Sequence, residues 1–188
     1  MQVALDDYAW AAGVATDLVN TAPEVWRGED KLPDLASLAA FAELHSIPVA
    51  PRTGDLRAVH RLRATVRDLI GHPDPAHLID GASALTARAG AVTLVDDPTR
   101  WAVSLRPGTS VPDVLSVICG VGALGVVHTL GAERFRACSA PTCRGTFIDT
   151  TRPGRRRYCM PALCGNRVNV ANHRARKTSA QPPGFHNA

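Results

Sequence analysis

The sequence predicts an α+β protein in which a mainly helical N-terminal domain with one small β-hairpin precedes a short cysteine-rich module. Apolar residues recur at helical spacing through most of residues 1–133, and one stretch alternates as strands do. Four of the five cysteines then fall within residues 138–164. The 188 residues suffice for one main core and a small appendage, and 45% hydrophobic with 20% charged residues is ordinary for a globular chain.

The first two predicted helices are bounded by residues that start and stop helices. Asp6 or Asp7 caps the first helix, which crosses an apolar stretch and ends near Asn20. The second helix presents leucine and alanine at helical spacing over residues 35–44, and Pro48 follows it. Both segments are therefore expected to bury one face in a shared core.

The third predicted helix has the clearest amphipathic periodicity in the chain. Thr53 or Asp55 is its expected N-cap, and it stops at Gly71. A shorter fourth helix is predicted over residues 74–90. Residues 91–105 then alternate as two strands around an Asp-Asp-Pro turn signal, which predicts the β-hairpin.

A fifth helix is predicted from near Ser110 to about Leu130. The stretch 114–132 has no charged residue and is long enough to span a membrane. Its interior polar residues and closely flanking acids nevertheless favour a helix buried in the core. A formal G-x-G-x-x-G occupies residues 120–125. Because no second strand and helix follow to complete a nucleotide-binding unit, the glycines predict close helix packing instead.

Charge divides the chain into two unlike parts. Residues 1–133 hold 10 Lys/Arg against 16 Asp/Glu, a net −6, whereas residues 134–188 hold 11 Lys/Arg against Asp149 alone, a net +10. Such concentrated positive charge is typical of a surface that binds a polyanion. The N-terminus lacks the features of a secretory signal and no membrane association is expected, so we expect a reducing, cytoplasmic location, where clustered cysteines hold metal.

The cysteine-rich module has the spacing of a structural zinc site. Two C-x4-C pairs separated by 15 residues hold the sulfurs: Cys138, Cys143, Cys159 and Cys164. Four thiolates complete a tetrahedral shell around one Zn²⁺ and leave no open position for catalysis. Pro141 favours a knuckle in the first pair, residues 145–149 and 155–159 have the pattern of two strands joined by a Pro-Gly turn, and the last cysteine begins a basic helix. Knuckle, hairpin and helix predict a treble-clef-like zinc finger that needs its metal to fold.

Residues 143–167 resemble the CGNR-type zinc finger. The shared pattern includes both cysteine pairs, the Phe-x-Asp at 147–149 and the Arg-Arg-Tyr-Cys at 156–159. The motif is named for four residues that are all present here: Cys164, Gly165, Asn166 and Arg167. In proteins of this kind the finger follows a mostly helical domain called ABATE, described as a stress-induced transcription regulator.

Residues 14–21 are similar to the opening motif of the ABATE domain and keep Asp17, Asn20 and Thr21. The resemblance implies a DNA-binding regulator. Together with the shift in charge and the loss of apolar periodicity at the end, it divides the chain into a helical ABATE-like domain of residues 1–133, a CGNR-type finger of residues 134–178 and a flexible tail of residues 179–188.

The basic residues of the folded finger are the candidates for contact with nucleic acid, where arginines mostly meet phosphate. They are Arg152, Arg155, Arg156, Arg157, Arg167, Arg174, Arg176 and Lys177. Arg167 could instead brace the finger through Asp149, Asn166 could cap backbone groups, and Gly165 could allow a close approach to sulfur. One small finger rarely gives high specificity alone, so a homodimer or accessory contacts would be needed.

The helical domain is larger than a carrier of a finger needs to be, so it could bind a small-molecule effector or form the homodimer. Asp17, Asn20 and Thr21 could line a ligand pocket, or Asn20 could simply close the first helix. Familiar catalytic motifs are absent, so we do not expect an enzyme. An enzyme or small-molecule-binding protein with a purely structural zinc module, and an RNA- or protein-binding finger, are the alternatives.

Overall fold

Helices make up most of the chain, as its apolar periodicity predicts. The computed structural model describes residues 2–4, 7–87, 92–94 and 101–179. Its helices are α1 (Tyr8–Val19), α2 (Leu35–Leu44), α3 (Asp55–Gly71), α4 (Pro75–Thr86), α5 (Val111–Leu130) and α6 (Asn166–Ser179). Its strands are β1 (Gln2–Ala4), β2 (Val92–Leu94), β3 (Trp101–Ser104), β4 (Phe135–Ala137) and β5 (Thr146–Ile148). The predicted fold class is confirmed.

The helix ends agree with the predicted signals at α1 and differ at α3. Asp7 caps α1, and Asn20 closes it. Neither Thr53 nor Asp55 caps α3: the cap position is Gly54, whose φ of 96° suits glycine, and Asp55 is the first helical residue. The Asp55 carboxylate accepts a backbone N–H of the preceding loop at 2.9 Å, so it closes that loop rather than capping the helix.

The predicted hairpin is present as the antiparallel pair of β2 and β3, although its turn at 95–100 lies outside the described residues. The strand β1 pairs antiparallel with the other side of β3, which gives a sheet of order β1-β3-β2. Three residues are too few to show alternation, so the sequence did not indicate β1.

Helix α5 forms the centre of the helical domain. Among the described helices it is the one long and apolar enough to cross a membrane, but here it lies in the core against α1 and α4, with Val114 and Ile118 fully buried. A Cβ atom on Gly122 would lie 2.5 Å from the backbone nitrogen of Ala12. The glycine motif therefore permits close helix packing, as predicted.

The hairpin of the finger differs from the predicted one. Strand β5 pairs with β4, which precedes the first cysteine pair, and residues 155–159 contain no strand. One backbone bond, from Ser139 N–H to the Arg157 carbonyl at 2.9 Å, joins that segment to the chain after β4. The Asp149 carboxylate accepts the Arg156 N–H at 2.9 Å. The buried Asp149 side chain thus holds residues 155–159 in place, which the predicted strand pairing was expected to do.

Strands β4 and β5 also connect the finger to the helical domain. Phe135 and Ile148, which face each other across the pair, are buried in the main hydrophobic core. The strands pack on α1 and α3. The last helix, α6, reaches Ser179, and the rest of the predicted tail, 180–188, lies outside the described residues.

Candidate metal centre and basic surface

The four cysteines of the two C-x4-C pairs converge at the centre of the finger. Cys143 Sγ lies 3.6 Å from Cys159 Sγ and 3.7 Å from Cys164 Sγ, and the latter two are 3.8 Å apart. Cys138 Sγ is within 4.8 Å of the other three. Sulfurs bound at about 2.3 Å to one tetrahedral Zn²⁺ stand about 3.8 Å apart, whereas a disulfide joins them at about 2.05 Å. The four cysteines form a structural zinc-binding site, as predicted.

Burial makes this cluster dependent on a central cation. Burial and the charge of Cys143 raise the pKa of the Cys159 thiol far above its ordinary value. Burial likewise raises the pKa of Cys164 to about 11. Backbone N–H groups approach two of the sulfurs, Gly145 N–H to Cys143 at 3.3 Å and Cys159 N–H to Cys138 at 3.5 Å. These weak bonds orient the sulfurs, and a bound dication would supply the positive charge that lets the four neighbouring thiols lose their protons.

Two local backbone features position the sulfurs. A Cβ atom on Gly145 would lie 2.5 Å from Cys159 Sγ, so the chain passes the metal shell only with glycine there. A Cβ atom on Gly165 would make an ordinary contact of 3.4 Å with the Tyr158 ring, so the close approach to sulfur that we considered for Gly165 belongs to Gly145. Cys164 lies in a π-helical turn, Pro161–Gly165, that leads directly into α6.

Asp149, the one acidic residue of the finger, organises the segment between the cysteine pairs. Its side chain is fully buried and accepts bonds from the Thr151 hydroxyl at 2.6 Å, Thr151 N–H at 3.0 Å and Arg156 N–H at 2.9 Å. Arg136 forms an ion pair with it at 3.2 Å. Burial opposes ionisation of Asp149, but these bonds and the Arg136 charge lower its pKa. Arg136 therefore makes the brace that we considered for Arg167, which is exposed.

Sequence reasoning missed the arginines at the start of the finger. Arg134 donates to the Thr151 carbonyl at 2.9 Å, and Arg136 donates to the Gly154 carbonyl at 2.9 Å. Together they fix the loop between the cysteine pairs. Because Asp149 is the one acid among many basic residues, the sequence indicates that it pairs with an arginine, but residue spacing does not indicate which one.

Arg156 is also used inside the finger. It donates to the Tyr158 carbonyl at 2.9 Å, contacts the Cys159 carbonyl, and lies 4.8 Å from the centre of the Phe147 ring. Its charge also reaches Asp17 on α1, where it favours ionisation of that carboxylate. The guanidinium thus supports the metal shell on one side and faces the helical domain on the other.

The remaining predicted arginines are exposed on the finger: Arg152, Arg155, Arg157, Arg167, Arg174 and Arg176. Arg155 and Arg157 line one open cleft together with Arg156, Tyr158 and Pro161. Arg167 lines another, between the first cysteine pair and α6. Lys177 belongs to α6, but its side chain is outside the described part of the structure.

Each of the three residues of the motif at the end of α1 contacts different partners. Asn20 is buried and donates to the carbonyls of Thr16 and Thr146, both at 2.7 Å, so it closes α1 and binds β5 at once. The Thr21 hydroxyl donates to the Leu18 carbonyl at 2.7 Å.

Asp17, the first residue of that motif, lies 3.7 Å from Nε2 of the buried His45. Burial raises the pKa of Asp17, against the attraction of His45 and Arg156. Burial also lowers the pKa of His45. Asp17 therefore belongs to a charge network that borders the finger.

A helical domain packed against a four-cysteine zinc finger defines the class of this molecule as a two-module zinc-finger protein. Comparison with known families agrees. The profile of the ABATE family, described as "Putative stress-induced transcription regulator", matches residues 12–131, and the CGNR zinc finger profile matches residues 134–177. The chain belongs to the ABATE family and carries a CGNR zinc finger, in the order predicted. Among curated proteins no sequence matches it.

Proposed function

We propose that the protein is a zinc-dependent, DNA-binding transcription regulator and not an enzyme. The observation that supports this most directly is the set of exposed arginines on a finger whose single carboxylate, Asp149, is fully buried and paired. Asp149 is the only acid in residues 134–188, so the net charge of the finger stays strongly positive. A rigid cationic surface of this kind attracts phosphate, and the description of the ABATE family supports a regulator.

The position of Arg156 indicates which arginines contact DNA in this proposal. Arg155 and Arg157 are exposed, while the half-buried Arg156 between them turns to carbonyls and the Phe147 ring. Arg155 and Arg157 line the same open cleft, where the Arg156 guanidinium is already bonded to the Tyr158 carbonyl. We therefore assign these two to phosphate and leave Arg156 out. On α6, Arg167 lies two helical turns before Arg174 and shares its side.

A salt series tests the assignment. Neutralising about five phosphates gives log affinity against log salt a slope near −4 to −5 on duplex DNA. The double substitution Arg155→Gln and Arg157→Gln should make that slope shallower by about 2, since each lost contact removes about 0.9. Arg57→Gln with Arg61→Gln removes the same charge from exposed positions on α3 and should leave the slope unchanged.

The same titration separates the alternatives. If the control substitutions on α3 weaken DNA binding as much as those in the finger, the electrostatic field of the whole chain is responsible for binding and the assigned surface is wrong. If single-stranded or duplex RNA of equal length binds more tightly than DNA, the finger is an RNA reader. Absence of binding to any duplex at low salt overturns the DNA-binding proposal.

The helical domain has a supporting role in this proposal. Asn20 fixes β5, and the charges of Asp17 and Arg156 meet at the same seam, so an effector bound by the domain could change the orientation of the finger there. Because one small finger gives limited specificity, we further propose that two copies bind one DNA site. Sedimentation of the DNA complex measures that stoichiometry. The reducing conditions that keep four thiols available for zinc fit a cytoplasmic location.

A further inference from the structure

A second group of metal-ligating side chains lies at the junction of α3 and α4, outside the finger. Asp68 is in the last turn of α3, His72 caps that helix, and His77 is in the first turn of α4. One donor atom from each of the three lies within 4.8 Å of the others. We propose that these residues form a solvent-open binding site for a divalent transition-metal ion. Nothing in the regulator assignment requires this site.

The donor geometry is close to that of a bound ion. Asp68 Oδ1 lies 3.2 Å from His72 Nδ1, and Asp68 Oδ2 lies 3.9 Å from His77 Nε2. Donors bound at about 2.1 Å stand about 3.0 Å apart in an octahedral shell and about 3.4 Å apart in a tetrahedral one. The first pair already has this separation. The second pair, which involves the other Asp68 oxygen, is longer, and the exposed side chains are free to rotate toward a shared ion.

The backbone holds the donors in place before any ion binds. Only three residues separate α3 from α4, and the Asp74 carboxylate accepts the His77 N–H at 2.9 Å, which fixes the first turn of α4. The helices approach closely next to the site: a Cβ atom on Gly81 would lie 2.6 Å from Leu69 Cδ1. Preordering of this kind lowers the entropic cost of assembling the ligands.

Charge and donor type select the kind of ion. Residues 68–87 contain three aspartates and no lysine or arginine. Two imidazoles and one carboxylate suit ions such as Zn²⁺, Ni²⁺ or Fe²⁺, whereas Mg²⁺ and Ca²⁺ prefer oxygen donors. Three protein ligands leave open positions, unlike the closed four-sulfur shell.

The open site should be weaker than the finger. His72 Nδ1 also lies 2.9 Å from the Asp68 carbonyl, and an ion bound through that nitrogen must displace this contact. An ion in the finger, by contrast, relieves the repulsion among four sulfurs. The two sites are therefore expected to fill in sequence, with the finger first.

The test uses the full-length protein with zinc already in the finger and Ni²⁺ as the probe. Calorimetric titration should show one further equivalent of Ni²⁺ while the zinc content stays constant. His72→Gln and His77→Gln, made separately, should each weaken that binding at least tenfold, and Asp68→Asn should weaken it less. His128→Gln, at an exposed histidine on α5, should change nothing.

The dependence on both histidines distinguishes a shared site from adventitious binding to one surface imidazole. Absence of a further equivalent in the unmodified protein overturns the proposal. Equal binding by the His77 and His128 variants overturns it as well. Because all substituted side chains are exposed, thermal melting without Ni²⁺ should be the same for every variant, and this confirms that each is folded.

Discussion

The helical domain and the finger are stabilised by different interactions. The domain buries a large apolar cluster around α5. The finger's own buried cluster is small and consists of Ala140, Phe147, Cys159 and Cys164, of which the two cysteines are metal ligands. In the finger, hydrogen bonds from arginines to carbonyls and to one buried carboxylate replace apolar packing. A domain with enough apolar surface folds by burying it, and a module without it depends on metal.

The two regions meet along β4 and β5, and β5 contributes to both cores. Adjacent residues of β5 face opposite sides, so Ile148 enters the core of the helical domain while Phe147 enters the cluster of the finger. The Ile148 N–H donates to the Thr16 hydroxyl at 3.0 Å, and the Thr146 carbonyl accepts from Asn20. The finger and the helical domain thus share β5, so a substitution that destabilises one region should also destabilise the other.

Removal of a zinc ligand should produce the largest effect. In Cys159→Ser the zinc equivalent is lost, and with it a contribution on the order of 10 kcal/mol to folding of the finger. Helices α1–α5 should keep most of their far-UV circular dichroism. The domain should nevertheless melt at lower temperature, because β4 and β5 no longer cover its core. Metal analysis and thermal melting measure both effects, and chelation of the unmodified protein should reproduce them.

Cys119 provides the matched control for this experiment. Its thiol is buried in α5, where burial raises its pKa to about 12, and it is not a zinc ligand. Cys119→Ala should keep one equivalent of zinc and cost about 1 kcal/mol. A Cys159→Ser protein that keeps both its zinc and its melting temperature would contradict the metal dependence of the finger.

A substitution at the centre of the helical domain should have the next largest effect. Gly122→Ala places a methyl group 2.5 Å from the Ala12 nitrogen, and since backbone cannot rotate away as a side chain can, we expect a loss of about 3 kcal/mol in the free energy of unfolding. Urea denaturation measures it. The zinc content should not change, because the clash is remote from the sulfurs.

Gly13→Ala is the opposite case on a neighbouring helix. A Cβ atom there meets nothing within 4 Å, so the gain in helix propensity should stabilise the protein by about 0.5–1 kcal/mol. If Gly122→Ala is as well tolerated as Gly13→Ala, close contact between α1 and α5 does not determine the stability of the domain.

The sequence predicted the parts of this molecule that depend on local patterns. Helical periodicity and the zinc ligand spacing are local, and both are confirmed. Spacing could not decide whether β5 pairs with β4 or with residues 155–159, because the two candidate partners lie at similar distances from β5 along the chain. Spacing did not indicate the roles of Arg136 and Asn20 either: each side chain reaches a partner that no spacing rule connects to it, at Asp149 and Thr146.

A substitution at the contact between the helical domain and the finger should have a smaller effect on stability. Asn20→Ala removes two buried hydrogen bonds and leaves the Thr146 carbonyl without this donor, so we expect a cost of about 2 kcal/mol. The cost should shrink after zinc removal, because β5 is then no longer held by the finger. Asn169→Ala, at an exposed position on α6, should stay within about 0.5 kcal/mol of the unmodified protein. An equal cost with and without zinc would mean that Asn20 serves α1 alone.

Mild acid should give the smallest effect, and it concerns the domain rather than the finger. Burial lowers the pKa of His45 although Asp17 lies 3.7 Å away, so the unfolded chain binds the proton more readily than the folded one. Stability should therefore fall as the pH drops below about 6.5, the ordinary pKa of histidine, by under about 1 kcal/mol down to pH 5.5. The pKa of Asp17 is raised, and its opposite contribution to stability belongs to lower pH, near the ordinary carboxylate range.

His45→Gln should flatten the dependence of the urea midpoint on pH, and His128→Gln should not, with zinc content confirmed at each pH. An unchanged slope in the His45 variant would assign the acid sensitivity to the finger, where protons compete with zinc for the thiolates.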